Sequence, residues 1–252
     1  KLLAITALSA ALFFGQTAAA EEKAAEEVKP SHVEMVLVLD ESGSMSNLTN
    51  DTIGGFNSMI EKEKKLDVDA HVTTVLFNDQ YKMLYNRREL KDVRKMTDKD
   101  YTPGGMTALL DAVGRTIHKM DMVSGIHRKD KGNKVLFVII TDGEENDSRE
   151  YTYADVKKLI KDRQENAGWE FIFLGANIDA VAAAENLGID RDRAVKYKNT
   201  GSGVRANFKA VAELSDSLAK SGRVSDEWKE TVEKDEDDAA DKQSAAVTLH
   251  RR

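Results

Sequence analysis

Asp40, Ser42 and Ser44 alternate in the segment Asp40-Glu41-Ser42-Gly43-Ser44. Two more oxygen-bearing positions stand far away in the chain: Thr107, after Gly104-Gly105-Met106, and Asp142, ahead of Gly143. The five offer two carboxylates and three hydroxyls, with no His or Cys among them. An oxygen-only set suits a hard divalent cation, Mg²⁺ or alternatively Ca²⁺ or Mn²⁺. Neutral hydroxyls leave part of the metal's charge uncancelled. A metal held in this way stays electrophilic, and an open position can take a carboxylate from another molecule. Singly, each position has a plain structural reading. Asp40 or Asp142 can cap a helix, and Ser42 or Ser44 can make a turn. Five together are hard to read as turns if one edge of a sheet gathers them.

The hydropathy pattern supplies such a sheet. Val33–Leu39 is apolar on both faces and ends at Asp40, as a buried parallel strand would. Val72–Phe77, Val135–Ile140, Phe171–Leu174 and Ala194–Tyr197 read as further strands, with Val135–Ile140 central. Tyr81–Tyr85 reads as an antiparallel return after a turn at Asn78-Asp79. Helical spacing appears at Ile53, Phe56 and Ile60, and at Leu110, Val113, Ile117 and Met120. It recurs around Val156 and Ile160, over residues 180–187 and over 203–219, with Thr152 and Asp155 spaced to begin the third helix. Gly54 and Gly55 weaken the first of these helices unless its backbone packs closely. Strands alternating with helices imply a doubly wound α/β sheet, mostly parallel, with one antiparallel edge strand and helices on both faces. Such sheets bind ligands beyond the carboxyl ends of their strands, where Asp40 and Asp142 fall.

With that placement, Asp40-x-Ser42-x-Ser44, Thr107 and Asp142 resemble the metal-ion-dependent adhesion site of von Willebrand factor type A (vWA) domains, including integrin inserted domains. The resemblance covers about residues 33–221. It implies a Rossmann-like vWA fold in which Ser42, Ser44 and Thr107 approach the metal directly and Asp40 and Asp142 do so directly or through water. The runs TIGGFNSMI, TTVLF, TALLDAVGRTIHKM and WEFIFLGANIDA resemble a group of bacterial and phage vWA proteins. Glu41, Glu144, Glu145 and Asp147 crowd the same loops and read as solvated; leaning inward, they would favour Ca²⁺ and repel an acidic ligand.

The ends of the chain differ from its middle. Lys1, an apolar run over residues 2–14 and Ala18-Ala19-Ala20 have the order of a secretory signal peptide, cleaved after Ala20. That run is too short to span a bilayer comfortably, so no stable membrane span is expected after cleavage. The expected location is periplasmic or secreted. Residues 21–32 read as an acidic linker and 222–252 as a charged, disordered tail, though Trp228 and Val232 are spaced to share one side of a short helix.

Of the 252 residues, 44 are acidic and 37 are Lys or Arg, a net charge of −7. An acidic chain is a poor binder of nucleic-acid backbones, and none is expected. The absence of Cys removes disulfides, zinc fingers and thiol nucleophiles. Catalytic motifs are missing too: no nucleophile elbow, P-loop or His-Glu-x-x-His occurs. A haloacid-dehalogenase-type reading of Asp40 needs an Asp where Ser42 stands. Gly201-Ser202-Gly203-Val204-Arg205-Ala206 matches a dinucleotide fingerprint on paper, but the acid-bearing strand that should follow is absent. Asn177 and Asp179 could border the crevice or serve as turn and cap. The five histidines show no ligand spacing along the chain, so structural or surface roles are expected. The three Asn-x-Ser/Thr sequons, including Asn146-Asp147-Ser148, read as chance matches.

These readings favour a non-catalytic, metal-dependent module that captures an Asp or Glu of a protein partner. The alternatives are a metal-dependent hydrolase of the phosphoryl-transfer type and a structural or regulatory subunit of a larger assembly, as vWA domains serve in chelatase and secretion complexes. The oligomeric state is left open.

Overall fold

The computed structural model describes residues 32–65, 69–123 and 133–234. Five strands run parallel: β1 (His32–Asp40), β2 (Ala70–Phe77), β4 (Asn133–Thr141), β5 (Glu170–Gly175) and β6 (Ala194–Lys196). β3 (Tyr81–Glu89) pairs antiparallel with β2 at one edge, giving the order β3-β2-β1-β4-β5-β6. The expected sheet, with its single antiparallel edge strand, is the one observed.

The inner strands are apolar on both faces because both faces are covered. Along β1, Met35, Leu37 and Leu39 join one hydrophobic cluster while Val36 and Val38 join the other. β4 splits likewise, with Leu136, Val138 and Ile140 on the first side and Val135, Phe137 and Ile139 on the second. The first face is packed by α1 (Thr49–Lys64) and α5 (Gly201–Ser221), and the second by α2 (Leu109–Asp121), α3 (Tyr153–Asp162) and α4 (Ala180–Leu187). Thr152 and Asp155 cap α3 reciprocally, Asp179 caps α4 and Thr200 caps α5. α5 is longer at both ends than its apolar spacing predicts, since Thr200 begins it and Gly222, at φ 71°, ends it.

The tail expectation needs correction over residues 222–234. Val224, Trp228 and Val232 are buried in the first cluster. Residues 228–234 form a short helix, α6, whose i, i+4 spacing turns Trp228 and Val232 inward. Thr231 Oγ1 donates to Glu213 on α5 at 2.7 Å, and Arg193 Nη1 donates to Asp226 at 3.0 Å. Two large apolar side chains outweigh the charge around them. The linker expectation also runs one residue too far, because His32 opens β1. The signal peptide, the rest of the linker and residues 235–252 lie outside the described residues.

Candidate metal centre

β1 and β4 lie side by side, and the chain's path diverges on either side of them. This opens a crevice at their carboxyl ends. Asp40 is the last residue of β1, and Asp142 follows Thr141, the last of β4. Ser42 and Ser44 belong to the turn that leaves β1 and enters a 3₁₀ segment over Gly43–Leu48. Thr107 stands just ahead of α2.

Four of these residues are linked by hydrogen bonds, and Thr107 stands beside them. Asp40 Oδ1 accepts the Ser42 N–H at 2.7 Å, and Ser42 Oγ lies 3.0 Å from Ser44 Oγ. Ser44 Oγ donates to Asp142 Oδ1 at 2.5 Å. Gly143 closes the ring: a Cβ placed there would lie 3.6 Å from Thr107 Oγ1 and 3.9 Å from Ser44 Oγ. Asp40, Ser42, Thr107 and Asp142 are buried, while Ser44 is exposed and marks the open side.

A second group of residues holds these donors in place. Thr141 Oγ1 donates to Asp40 Oδ2 at 2.6 Å, and Tyr101 donates to the Asp40 carbonyl at 2.6 Å. Asn199 Nδ2 donates to Asp142 Oδ2 and Asn177 Nδ2 to the Asp142 carbonyl, each at 3.3 Å. The loop before Thr107 is laced to the loop after β1 by Gly43 N–H to Gly105 O and Gly104 N–H to Glu41 O. Gly105 has φ 76°, and a Cβ there would collide with Asp79 Oδ1, so this turn needs glycine on both counts.

The crowding acids do other work. Glu41 is buried and turned away from the ring: its Oε1 accepts from Thr102 N–H at 2.5 Å and Lys82 Nζ at 3.2 Å. Glu145 accepts from the backbone of Leu110, Asp147 and Ser148, tying its loop to α2. Of these four acids, Glu144 alone is exposed. The solvated reading therefore fails for Glu41 and Glu145 and holds for Glu144. Asp179 is a helix cap, and Asn177 does border the crevice. The glycines of the fingerprint-like run are there for packing: a Cβ on Gly203 would lie 2.0 Å from the Lys198 carbonyl oxygen.

Burial pushes the Asp40 carboxyl above its usual range; hydrogen bonds from Ser42 and Thr141 offset part of the rise, and the charge of Asp142 adds to it. Among the described residues, no Lys, Arg or His forms an ion pair with Asp40 or Asp142. Two buried carboxylates without a counter-charge are costly. The donor set is all oxygen and lacks positive charge, which fits a hard divalent cation. Tyr197 OH and Asn199 Oδ1, both near this edge, are buried without a hydrogen-bond partner.

The family model for the vWA domain found at the C terminus of TerF matches residues 32–198. The chain belongs to this TerF-like vWA family. The fold also recurs in solved structures that share little vWA sequence with it. A PilB minor pilin from Streptococcus sanguinis matches with a TM-score of 0.54 at 12% identity, over 73% of this chain and 61% of its own. The von Willebrand factor domain of the type V pilus tip protein Mfa5 from Porphyromonas gingivalis gives 0.52 at 12% identity, over 77% and 98%. Proximal thread matrix protein 1 from the mussel byssus gives 0.52 at 16%, over 73% and 46%. This vWA chain thus spans about half of the mussel protein and under two thirds of the pilin. At such identities the likeness is one of fold. A search of the curated proteins returns no match.

Sequence reasoning missed the supporting residues Tyr101, Thr141, Asn146 and Asn199, which carry no metal-site motif. It also missed a second gathering of ligand-type side chains, His32, Glu34 and His71, at the opposite end of β1. Their spacing along the chain is uninformative. His71 stands opposite Glu34 only because of the parallel register of β1 and β2.

Proposed function

We propose that Asp40, Ser42, Ser44, Thr107 and Asp142 hold a divalent cation, Mg²⁺ by preference, with Mn²⁺ or Ca²⁺ as alternatives, and that this vWA module captures an acidic side chain of a protein partner through it. The observation that carries the reading is the gathering of three hydroxyl-bearing residues with two buried carboxylates that, among the described residues, have no cationic partner. When bound, the cation supplies a positive, ligand-accepting centre at the exposed Ser44 side.

The surroundings suit a docking face better than a reaction chamber. Of the three large hydrophobic side chains well exposed among the described residues, Met106 adjoins Thr107 and Tyr153 lines a cavity of about 290 Å³ beside Gly143. Leu109, Ile178 and Leu187 floor that cavity. Among the described residues, no His or Lys is hydrogen-bonded into the ring to serve as a general base. Export remains part of the proposal and rests on the signal-like pattern of residues 1–20. Among the described residues, no helix is long and apolar enough to cross a membrane.

The test uses Mn²⁺ as a probe in titration calorimetry. The wild-type chain should bind one ion, and Ser44→Ala and Thr107→Ala should each weaken binding by about tenfold or more. Capture of a partner should vanish in chelator and in Ser44→Ala alike; a partner held equally well by both overturns the reading. Turnover of simple phosphate esters that Asp40→Asn abolishes would favour the hydrolase instead.

A further inference from the structure

The amino end of β1, eight residues from Asp40 and so roughly 26 Å away along the strand, carries the second cluster. His32 and Glu34 point to one face of β1, and His71 stands beside them on β2. His32 Nε2 lies 2.9 Å from Glu34 Oε1 and 2.8 Å from His71 Nδ1, and His71 Nδ1 lies 3.4 Å from Glu34 Oε1. Glu34 is 2% exposed, and the His32 and His71 side chains are 13% and 26% exposed. The triangle is therefore fixed at its base and open on one side.

We propose that His32, Glu34 and His71 form a second metal site, separate from the oxygen-only centre and selective for a borderline transition ion such as Zn²⁺. Three lone-pair-bearing atoms converge on one point. A single proton can join only one pair of them at a time, whereas a cation at the centre satisfies all three. Ligands of a tetrahedral zinc at about 2.0–2.1 Å stand about 3.3 Å apart, so the observed 2.8, 2.9 and 3.4 Å edges need open by only about half an ångström. Two nitrogens and one carboxylate oxygen suit zinc and not magnesium.

The supporting shell has the form that metal-bound histidines require. Asp69 Oδ2 lies 3.2 Å from His32 Nδ1, so Asp69 can accept the Nδ1 proton and leave the Nε2 lone pair facing Glu34 and His71. Arg87 occupies the open side of the triangle. Its Nε lies 3.0 and 3.1 Å from the two Glu34 oxygens, and its Nη2 contacts Oε1 and lies 3.2 Å from His71 Nδ1. Arg87 sits at an irregularity in the β2–β3 pairing, with φ 45°, an uncommon conformation for a residue other than glycine. Its side chain is 31% exposed, so it can withdraw towards solvent. Arg87 thus stands in for the cation and competes with it.

Zn²⁺ titration of the full chain in excess Mg²⁺ tests this, with Co²⁺ absorption as a spectroscopic readout of nitrogen ligation. One Zn²⁺ should bind and should persist in the Ser44→Ala/Thr107→Ala double variant. Affinity should fall by more than about a hundredfold in His32→Gln/His71→Gln and by about tenfold in Asp69→Asn. It should rise in Arg87→Gln, which a purely structural role for the cluster does not predict. Should the double His variant fail to fold, the Asp69→Asn and Arg87→Gln affinities decide the matter. Zinc uptake unchanged by the His and Asp69 variants, or lost with the Ser44 and Thr107 hydroxyls, overturns the assignment.

Discussion

Asn146 grips the main chain of Thr107 twice. Its side-chain Oδ1 accepts the Thr107 N–H at 2.9 Å, and its own backbone N–H donates to the Thr107 carbonyl at 3.0 Å. The hydroxyl that completes the oxygen ring is therefore positioned by a residue that touches no ligand. Asn146 is also the first residue of a glycosylation sequon, whose glycan would attach through Nδ2 and not through the gripping Oδ1.

Asn146→Ala should leave the fold intact and lower Mn²⁺ affinity by about five- to tenfold, the worth of one lost hydrogen bond of roughly 1 kcal/mol. Calorimetric titration beside wild type measures it. Equal affinities would mean that Thr107 is held by its other neighbours alone.

Asp142→Asn should separate the cost of the ring from its use. Removing one of two buried, uncompensated charges should raise the melting temperature of the metal-free protein. The new amide also gains an acceptor, since Asn199 Oδ1 is without a partner and a flip of Asn199 brings it round. The same change should abolish the rise in melting temperature that Mg²⁺ or Mn²⁺ gives the wild type. Scanning calorimetry with and without metal reads both effects.

Glu63 gives a pH dependence away from the ring. It is fully buried where α1 meets α5; Ser215 Oγ donates to its Oε2 at 2.6 Å and its Oε1 is unpartnered. Burial pushes its carboxyl from 4.5 up to about 7, with the nearby Asp216 charge adding to the rise. Below pH 4.5 the group is protonated in both the folded and the unfolded state and costs nothing. Between 4.5 and about 7 the unfolded chain ionises first, so its contribution to stability is lost across that interval. Glu63→Gln should then stabilise the protein by on the order of 1–3 kcal/mol above pH 7 and by little below pH 4.5, measured by denaturant unfolding at both ends. A gain independent of pH would remove ionisation as the cause.

Neighbouring glycines in α1 should respond with opposite signs. Gly54 has open space where a Cβ would go, so Gly54→Ala should stabilise by roughly 0.5–1 kcal/mol through helix propensity. A Cβ on Gly55 would lie 2.5 Å from the Phe208 ring, so Gly55→Ala should destabilise by about 1–3 kcal/mol. Thermal unfolding of the pair shows whether the close α1–α5 approach is real.

Much of this was legible in the residues, and for a physical reason. Buried parallel strands announce themselves as runs apolar on both faces, and Val33–Leu39 and Val135–Ile140 end where the two carboxylates stand. The five ring positions were readable because each hangs on a strand end or a helix start. What stayed hidden depends on register and on tertiary contact. Glu41 looks like a solvated acid until Lys82 and Thr102 are seen to hold it inward. The chain spacing of His32 and His71 says nothing of their 2.8 Å approach. Trp228 was read into a disordered tail because the charges around it outnumber the apolar residues, yet burial of its indole and of Val232 decides the local structure.

That docked segment also carries the described fold past the family signature. The family signature stops at Lys198, yet α5 and the Trp228–Val232 turn roof the sheet face on which Met35, Leu37 and Leu39 lie. The stretch that evolution labels and the stretch that folds are therefore different lengths. A chain cut at Gly222 would bare the seats of Trp228 and Val232, each side chain worth about 1.5–3 kcal/mol of burial. Against a net stability of roughly 5–15 kcal/mol, that loss is a large share of what keeps a domain folded. Residues 224–232 are thus held to the body by a hydrophobic clasp beside α5 and the Arg191–Arg193 turn.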